Sequence, residues 1–309
     1  MKIHTQGARI MSKCCRWSRI IGFGAVMLGL GSQSAVATEA GGGNYPNGAE
    51  SYLVTPPPPG IYTVVYANHY SADRFNDRNG KSSIPNFSIE ANSIDPRVLV
   101  VSPELWGGQR FGMMVLIPVV NLTVHTPALR QERTGLGNLD LTLFATSDPL
   151  PNFHLAYGID IFFNTGKYDP RAVANPSPGF GTYELVFAAS YSKPNGPQLD
   201  LKLMYDFNEK NDDTNYKSGQ VFHADYAAGW NAGPLTAGIG GYVLRQTTDD
   251  RVGGMRVGSD GFRGRVFAVG PELKYNFDPI QVWFQYQREF SARNRPQGDN
   301  FWLKTVIRF

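Results

Sequence analysis

The sequence has very little cysteine: two residues in 309, Cys14 and Cys15, both near the start. From residue 38 onward there is no thiol, which excludes a disulfide framework, a thiolate nucleophile and a cysteine-based metal site. Long apolar runs are equally scarce. The stretch 20–30 is too short to cross hydrocarbon as a helix, which takes roughly 20 apolar residues, and nothing after it is longer. The chain beyond it is therefore either water-soluble or crosses a membrane as a closed barrel. Chemical signatures are missing too. His69, His125, His154 and His223 include one close His–Ser pair, His69 with Ser71, but no serine sits in a nucleophile elbow or a lipase signature. The acidic pairs Asp212-Asp213 and Asp249-Asp250 lack the ligand spacing of a calcium loop. Gly238, Gly240 and Gly241 lie in a strand-like run with no following helix to receive phosphate. The expectation is a protein with no catalytic residues, no metal and no cofactor.

Excess positive charge is also missing once the N-terminus is considered. Lys2, Arg9, Lys13, Arg16 and Arg19 precede the apolar stretch 20–30, and Ala35-Val36-Ala37 forms a small-residue cleavage site, so residues 1–37 read as a secretory signal peptide. That segment holds five of the 29 basic residues and no acid, leaving 24 basic against 26 acidic residues and a formal charge of −2. No nucleic-acid partner is expected. Residues 38–59 follow as a Gly- and Pro-rich segment with Pro56-Pro57-Pro58-Pro59 as a stiff stretch. This segment, Tyr52-Leu53-Val54 above all, either enters a lumen as a plug or hangs free as a tail.

What the chain does have is alternation. Its last ten residues place Phe301, Leu303, Thr305, Ile307 and the terminal Phe309 on one face, with Trp302, Lys304, Val306 and Arg308 on the other. This resembles the closing strand of bacterial outer-membrane β-barrels, in which a final Phe such as Phe309 serves as an assembly signal. Similar period-2 runs occur at 60–70, 96–102, 110–124, 138–145, 153–163, 183–191, 199–207, 222–231, 235–246, 267–277 and 280–287, about twelve with the last. Short gaps alternate with longer polar gaps near 71–94, 125–137, 164–181, 208–219, 247–261 and 291–299. An all-β transmembrane antiparallel barrel of about 12 strands, residues 60–309, requires that alternation of tight turns and outer loops.

If the apolar faces meet lipid, the lumen candidates are Asp140, Asp160, Asp200, Lys202, Asp206, Asp225, Glu272, Lys274, Glu289, Lys304 and Arg308. They form either a mutually satisfied ion-pair network or a hydrated path that selects solutes by charge. Pro118 and Pro271 fall inside strand runs, where proline removes a ladder donor. Each either bulges the wall or interrupts it as a lateral exit.

Several stretches resemble the outer-membrane proteins associated with the meta-cleavage pathway of phenol degradation, a family that includes SphA-like proteins. They are Asn47-Gly48-Ala49-Glu50, Pro57-Pro58-Pro59-Gly60-Ile61-Tyr62, Tyr70-Ser71-Ala72-Asp73-Arg74, Gly107-Gly108 leading to Pro118, Asn164-Thr165-Gly166-Lys167-Tyr168, Thr214-Asn215-Tyr216-Lys217-Ser218-Gly219, and Phe262-Arg263-Gly264-Arg265 before Gly270-Pro271. The resemblance implies an outer-membrane channel for passive uptake of small hydrophobic or aromatic compounds in a Gram-negative bacterium. Its partners would be outer-membrane lipid and lipopolysaccharide, the barrel-assembly machinery and a small apolar solute. A structural or adhesive surface barrel without transport is the alternative, and a barrel lipid hydrolase the third reading.

Overall fold

The computed structural model describes residues 41–51, 57–105 and 107–309. The expected signal peptide and Tyr52-Leu53-Val54 lie outside the described residues. In chain order the strands are β1 (Gly60–Asn76), β2 (Ser88–Val101), β3 (Gln109–Leu116), β4 (Val119–His125), β5 (Arg130–Leu136), β6 (Leu139–Leu150), β7 (Phe153–Phe163), β8 (Thr182–Ser192) and β9 (Pro197–Asn208). They continue as β10 (Lys210–Asn211), β11 (Tyr216–Lys217), β12 (Val221–Ala232), β13 (Leu235–Gln246), β14 (Arg251–Val252), β15 (Met255–Arg256), β16 (Arg265–Asn276), β17 (Ile280–Arg293) and β18 (Arg295–Arg308).

Twelve of these close a ring in the order β1, β18, β17, β16, β13, β12, β9, β8, β7, β6, β3, β2 and back to β1. Every pairing is antiparallel, and β1 seals against β18 from Tyr62↔Arg308 to Asn76↔Arg295. The start of β1 and the end of β18 therefore lie at the same rim, called here the turn end. Tight connections there use Asn152 and Asn195 in left-handed geometry, with φ of 62° and 48°, which asparagine tolerates better than most residues.

The distribution of side chains is that of a membrane barrel. Ile94, Leu143, Leu185, Leu201, Ile239, Phe284 and Leu303 are exposed on the outer face, while their strand neighbours Asp95, Thr142, Glu184, Lys202, Gly240, Gln285 and Lys304 turn inward, and six of the seven are buried polar or charged residues. Apolar residues outside and polar ones within match a lipid surround, because in water the same arrangement would forfeit the burial free energy of every outer side chain. Toward the loop end the outer face changes to His69, Ser71 and Asp73 on β1 and Asn92, Glu90 and Ser88 on β2. The apolar band stops there.

Departures from the periodicity reading have physical causes. The run 110–124 is two strands, because the Ile117-Pro118 step breaks it: β3 pairs with β6 up to Leu116↔Asp140, and β4 then pairs with β5 instead. The gap expected at 125–137 is accordingly a hairpin closed by Thr126 N–H donating to Leu129 O at 2.9 Å. The gap expected at 291–299 is strand almost throughout, turned at Asn294 with φ of 52°. Charged residues there report long strands projecting past the membrane, not a loop. The loops at 208–219 and 247–261 carry a small second sheet, β10-β11-β14-β15. It is organised by Asp250, whose carboxylate accepts from Tyr216 Oη at 2.5 Å, Gly219 N at 2.7 Å and Gln246 Nε2 at 2.7 Å.

Candidate functional site

The lumen is occupied by the chain's own N-terminal segment. Residues 44–51 run among the inward-facing side chains, and each short step of backbone finds a partner in the wall. Tyr45 Oη donates to Asp225 Oδ2 at 2.7 Å, Gly48 N to Asp225 Oδ1 at 2.8 Å and Glu50 N to Asp225 Oδ2 at 3.1 Å. Lys304 Nζ donates to Ala49 O at 2.6 Å and Ser51 O at 3.0 Å, and Ser51 Oγ to Glu272 Oε1 at 2.7 Å. Gly48 adopts φ of +82°, and a Cβ there would lie 2.1 Å from Gln287 Oε1 and 2.7 Å from the Tyr242 ring. Only glycine satisfies both the left-handed backbone and that contact.

Glu50 is the centre of this plug. Its carboxylate takes Lys202 Nζ at 2.9 Å, Arg97 Nη1, and Tyr66 Oη at 3.1 Å. A buried carboxylate is tolerable only with such partners, and removing it would leave Arg97 without its ion-pair partner and Lys202 with Asp160 at 3.8 Å. The plug thus completes the electrostatics of the wall.

The structure places the residues singled out from sequence as follows. Asp140, Asp160, Asp200, Lys202, Asp206, Asp225, Glu272, Glu289 and Lys304 are buried on the inner face. Glu289 accepts from Tyr242 Oη at 2.6 Å, Tyr70 Oη at 2.9 Å and Gly298 N at 2.8 Å. Lys274 is half-buried, its Nζ 5.8 Å from the Trp283 ring centre. Arg308 is exposed at the turn end, donating to Pro59 O at 3.1 Å. Phe309 is 77% exposed beside it, its N–H bonded to Ile61 O. Pro271 stands opposite Ile239, and the β16–β17 register is the same on both sides of it, Val269↔Arg288 and Glu272↔Gln285. His69 Nδ1 lies 2.8 Å from Asn92 Oδ1. Periodicity did not single out Glu50, Arg97, Glu184 or His223 as site residues. Glu184 does stand between the outward Tyr183 and Leu185, so its inward position was readable; Glu50 lies in a segment with no period to read.

Pro118 is where the wall changes. Beyond Leu116 the strand leaves β6, and Gly137 N donates to Pro118 O at 2.9 Å as a further rung of the β4–β5 pairing. The second edge of β5 pairs with no strand among the described residues and is covered by the connection 164–181. Lys167 N donates to Leu136 O at 2.8 Å, Lys167 Nζ to Thr134 O at 2.7 Å, and Val173 and Ala174 N–H both reach Gln131 Oε1 at 2.9 Å. Gly166 permits this approach: a Cβ there would meet Gly137 C at 2.6 Å. Asn138 fastens the seam, its Oδ1 accepting from Gly166 N at 3.0 Å and Ser177 Oγ at 2.8 Å and its Nδ2 donating to Asn44 Oδ1 at 2.9 Å. One buried side chain thereby touches both the covering loop and the plug.

Beside the seam, at the loop end, the inner face turns apolar. Phe75, Phe87, Val124 and Ala174 form a buried cluster, with Ile84, Ile89 and Leu122 packed against it. The Phe75 and Phe87 rings meet edge to face at 5.7 Å. In the loops above, Arg263 Nε donates to Asp249 Oδ1 at 2.7 Å, and that hydrogen bond holds the Asp249 carboxyl below the usual range. Asp169 is likewise lowered by its hydrogen bonds from the backbone and side chain of Arg171.

Among solved structures, the fold is similar to that of the COG4313 outer membrane channel from Pseudomonas putida F1. The TM-score is 0.74 at 19% identity, covering 82% of this chain and 97% of that one. The translocator domain of the autotransporter NalP from Neisseria meningitidis is also similar, with a TM-score of 0.51 at 9% identity over 81% of this chain and 89% of that one. Among curated protein sequences, none matches the chain. A family model does: it covers residues 72–305, well over half of the sequence, and the chain belongs to the family described as the putative MetA pathway of phenol degradation.

Proposed function

We propose that this protein is an outer-membrane channel for passive uptake of small hydrophobic or aromatic compounds, and that these leave sideways through the β5 seam. The observation that carries the reading is the apolar cluster of Phe75, Phe87, Val124 and Ala174 beside the loop-end part of the covered β5 edge, on the hairpin that leaves the β6 ladder at Ile117-Pro118. An apolar solute taken up at the loop end reaches apolar side chains by parting this cluster, which is buried as it stands. Below, it meets Asp140, Asp160, Glu50, Lys202 and Arg97, whose partners it cannot replace, so descent through the lumen would cost the desolvation of buried charges. Opening the seam costs only the bonds between β5 and the connection 164–181, and delivers the solute to the lipid-facing side at Ile117, Val119 and Leu136, all exposed. Flow down the gradient needs no energy source. The family description supports an aromatic substrate class, and the similarity to an outer-membrane channel supports the location.

The reading is non-catalytic, and the buried lumen residues act as a structural lock that keeps water and ions out while the plug is docked. The test is uptake of a panel, a phenol-like compound, a long-chain amphiphile and a sugar, by cells lacking and then regaining the protein. Selective restoration of the phenol-like compound is expected. Restoration of none would favour the structural or adhesive barrel, and restoration of the sugar alone would point to a polar channel.

A further inference from the structure

Three inward-facing side chains on adjacent strands converge on a point that transport does not use. Glu184 on β8 stands directly opposite Asp206 on β9, and His223 follows on β12. His223 Nε2 lies 3.1 Å from Glu184 Oε2 and 3.1 Å from Asp206 Oδ1, and one ligand atom from each lies within 4.8 Å of the others. All three residues are buried.

As a network of protons this arrangement is incomplete. A ring nitrogen carries one hydrogen and can satisfy one carboxylate, and like charges directly opposite on a ladder repel. Glu184 Oε2 pairs with the nitrogen that Asp206 also faces, and His223 Nδ1 has no hydrogen-bond partner among the described residues. Asp160 and Asp140 add further carboxylates whose charges act on the same cluster. The nearby cation, Lys202, is engaged by Glu50 at 2.9 Å and stands 3.8 Å from Asp160. The cluster therefore brings two carboxylates onto one imidazole nitrogen, more than a single N–H can bridge.

We propose that Glu184, Asp206 and His223 bind one first-row divalent transition cation of the zinc(II) type. One imidazole nitrogen with two carboxylates is a donor set such ions accept, whereas calcium takes six or more oxygens. The two 3.1 Å nitrogen–oxygen separations are close to the spacing of about 3.3 Å between ligands of a tetrahedral zinc ion. A cavity of about 20 Å³ lined in part by Tyr45, Asp206 and His223 has room for one water as a further ligand. The ion fastens β8, β9 and β12 together, and the Tyr45 ring, 4.9 Å from that of His223, sets it beside the start of the plug. This site stands whether or not the barrel transports anything.

The test uses the whole folded barrel, stripped with a chelator and titrated with zinc chloride. One zinc per barrel is expected, with an X-ray absorption edge reporting three or four nitrogen and oxygen ligands including one imidazole. His223→Gln and Glu184→Gln should each weaken binding at least about a hundredfold, the upper end of the loss from an outer-shell partner alone. His125→Gln, at the exposed loop end, should leave it unchanged. Heat-modifiable mobility on a gel checks that each variant is folded. An all-oxygen six-coordinate shell, no binding at micromolar zinc, or binding lost in His125→Gln and kept in the others would overturn the site, and the wild-type spectrum decides even where a variant does not fold.

Discussion

The inner face of this barrel has two halves that obey opposite rules. Around Glu50, every few ångströms of the plug are hydrogen-bonded to charged wall residues, and the packing partners are Lys202, Arg97, Asp225 and Lys304. Around Phe87 the same barrel presents phenylalanine, valine and isoleucine, beside a stretch where the wall is made by a loop laid against a strand edge. The difference teaches that closure was achieved twice by different means. On the proposed reading, paired charges that are expensive to separate hold the segment in the lumen, and a few bonds at a strand edge hold the seam.

The largest effect is expected from Glu50→Ala. Leaving Arg97 and Lys202 buried without their carboxylate should cost the docked plug about 3–5 kcal/mol, shifting its equilibrium by at least a hundredfold. Single-channel recording should then show sustained ion conductance where the wild type shows brief or none. Phe87→Ala strikes the other half: loss of a buried ring should lower stability by about 3 kcal/mol in denaturant unfolding, and reduce uptake of the apolar solute without raising ion conductance. If it raised conductance, the two halves would not be separate.

Asn138→Ala sharpens the boundary between them, since Asn138 bonds both Asn44 and the covering connection. Loss of buried hydrogen bonds worth about 1–3 kcal/mol should loosen seam and plug together, which proteolysis within 164–181 and conductance would report in parallel. The smallest effect concerns pH. Asp249 is held below its usual value by Arg263, so its contribution is present above the ordinary aspartate range and is lost as pH falls through the lowered value. Proteolysis of the 247–264 connection should be faster in Asp249→Asn than in the wild type at neutral pH, and the two should converge in acid.

The wall was legible in the sequence because lipid and water impose a strict period of two. Phe301, Leu303, Thr305 and Ile307 could face only one way. Strand ends were harder, since Asp299 and Arg295 look like loop residues wherever a strand runs beyond the membrane. The plug was legible only as an alternative to a free tail. Glu50 sits in an aperiodic segment, and its role follows from Arg97 and Lys202, which are 47 and 152 residues away. Proline signals were legible as questions only: Pro118 and Pro271 look alike in sequence, yet one ends a ladder and the other keeps its register.

The central claim is that apolar solutes leave by the seam and not past the plug. Since Cys14 and Cys15 are the chain's only cysteines, engineered cysteine pairs can lock each route separately. Gly135→Cys with Lys167→Cys would tie β5 to its covering connection, where a Cβ on residue 135 would lie 2.8 Å from Lys167 Cβ and the connection must ease outward by about 1 Å to reach disulfide spacing. Ser51→Cys with Gln285→Cys, joined by a short reducible thiol cross-linker because Gln285 reaches Ser51 with the far end of its side chain, would tie the plug to β17. Uptake of a phenol-like compound should stop with the seam locked under oxidising conditions, return on reduction, and proceed with the plug locked. Uptake that survives the seam lock and stops with the plug lock would contradict the account.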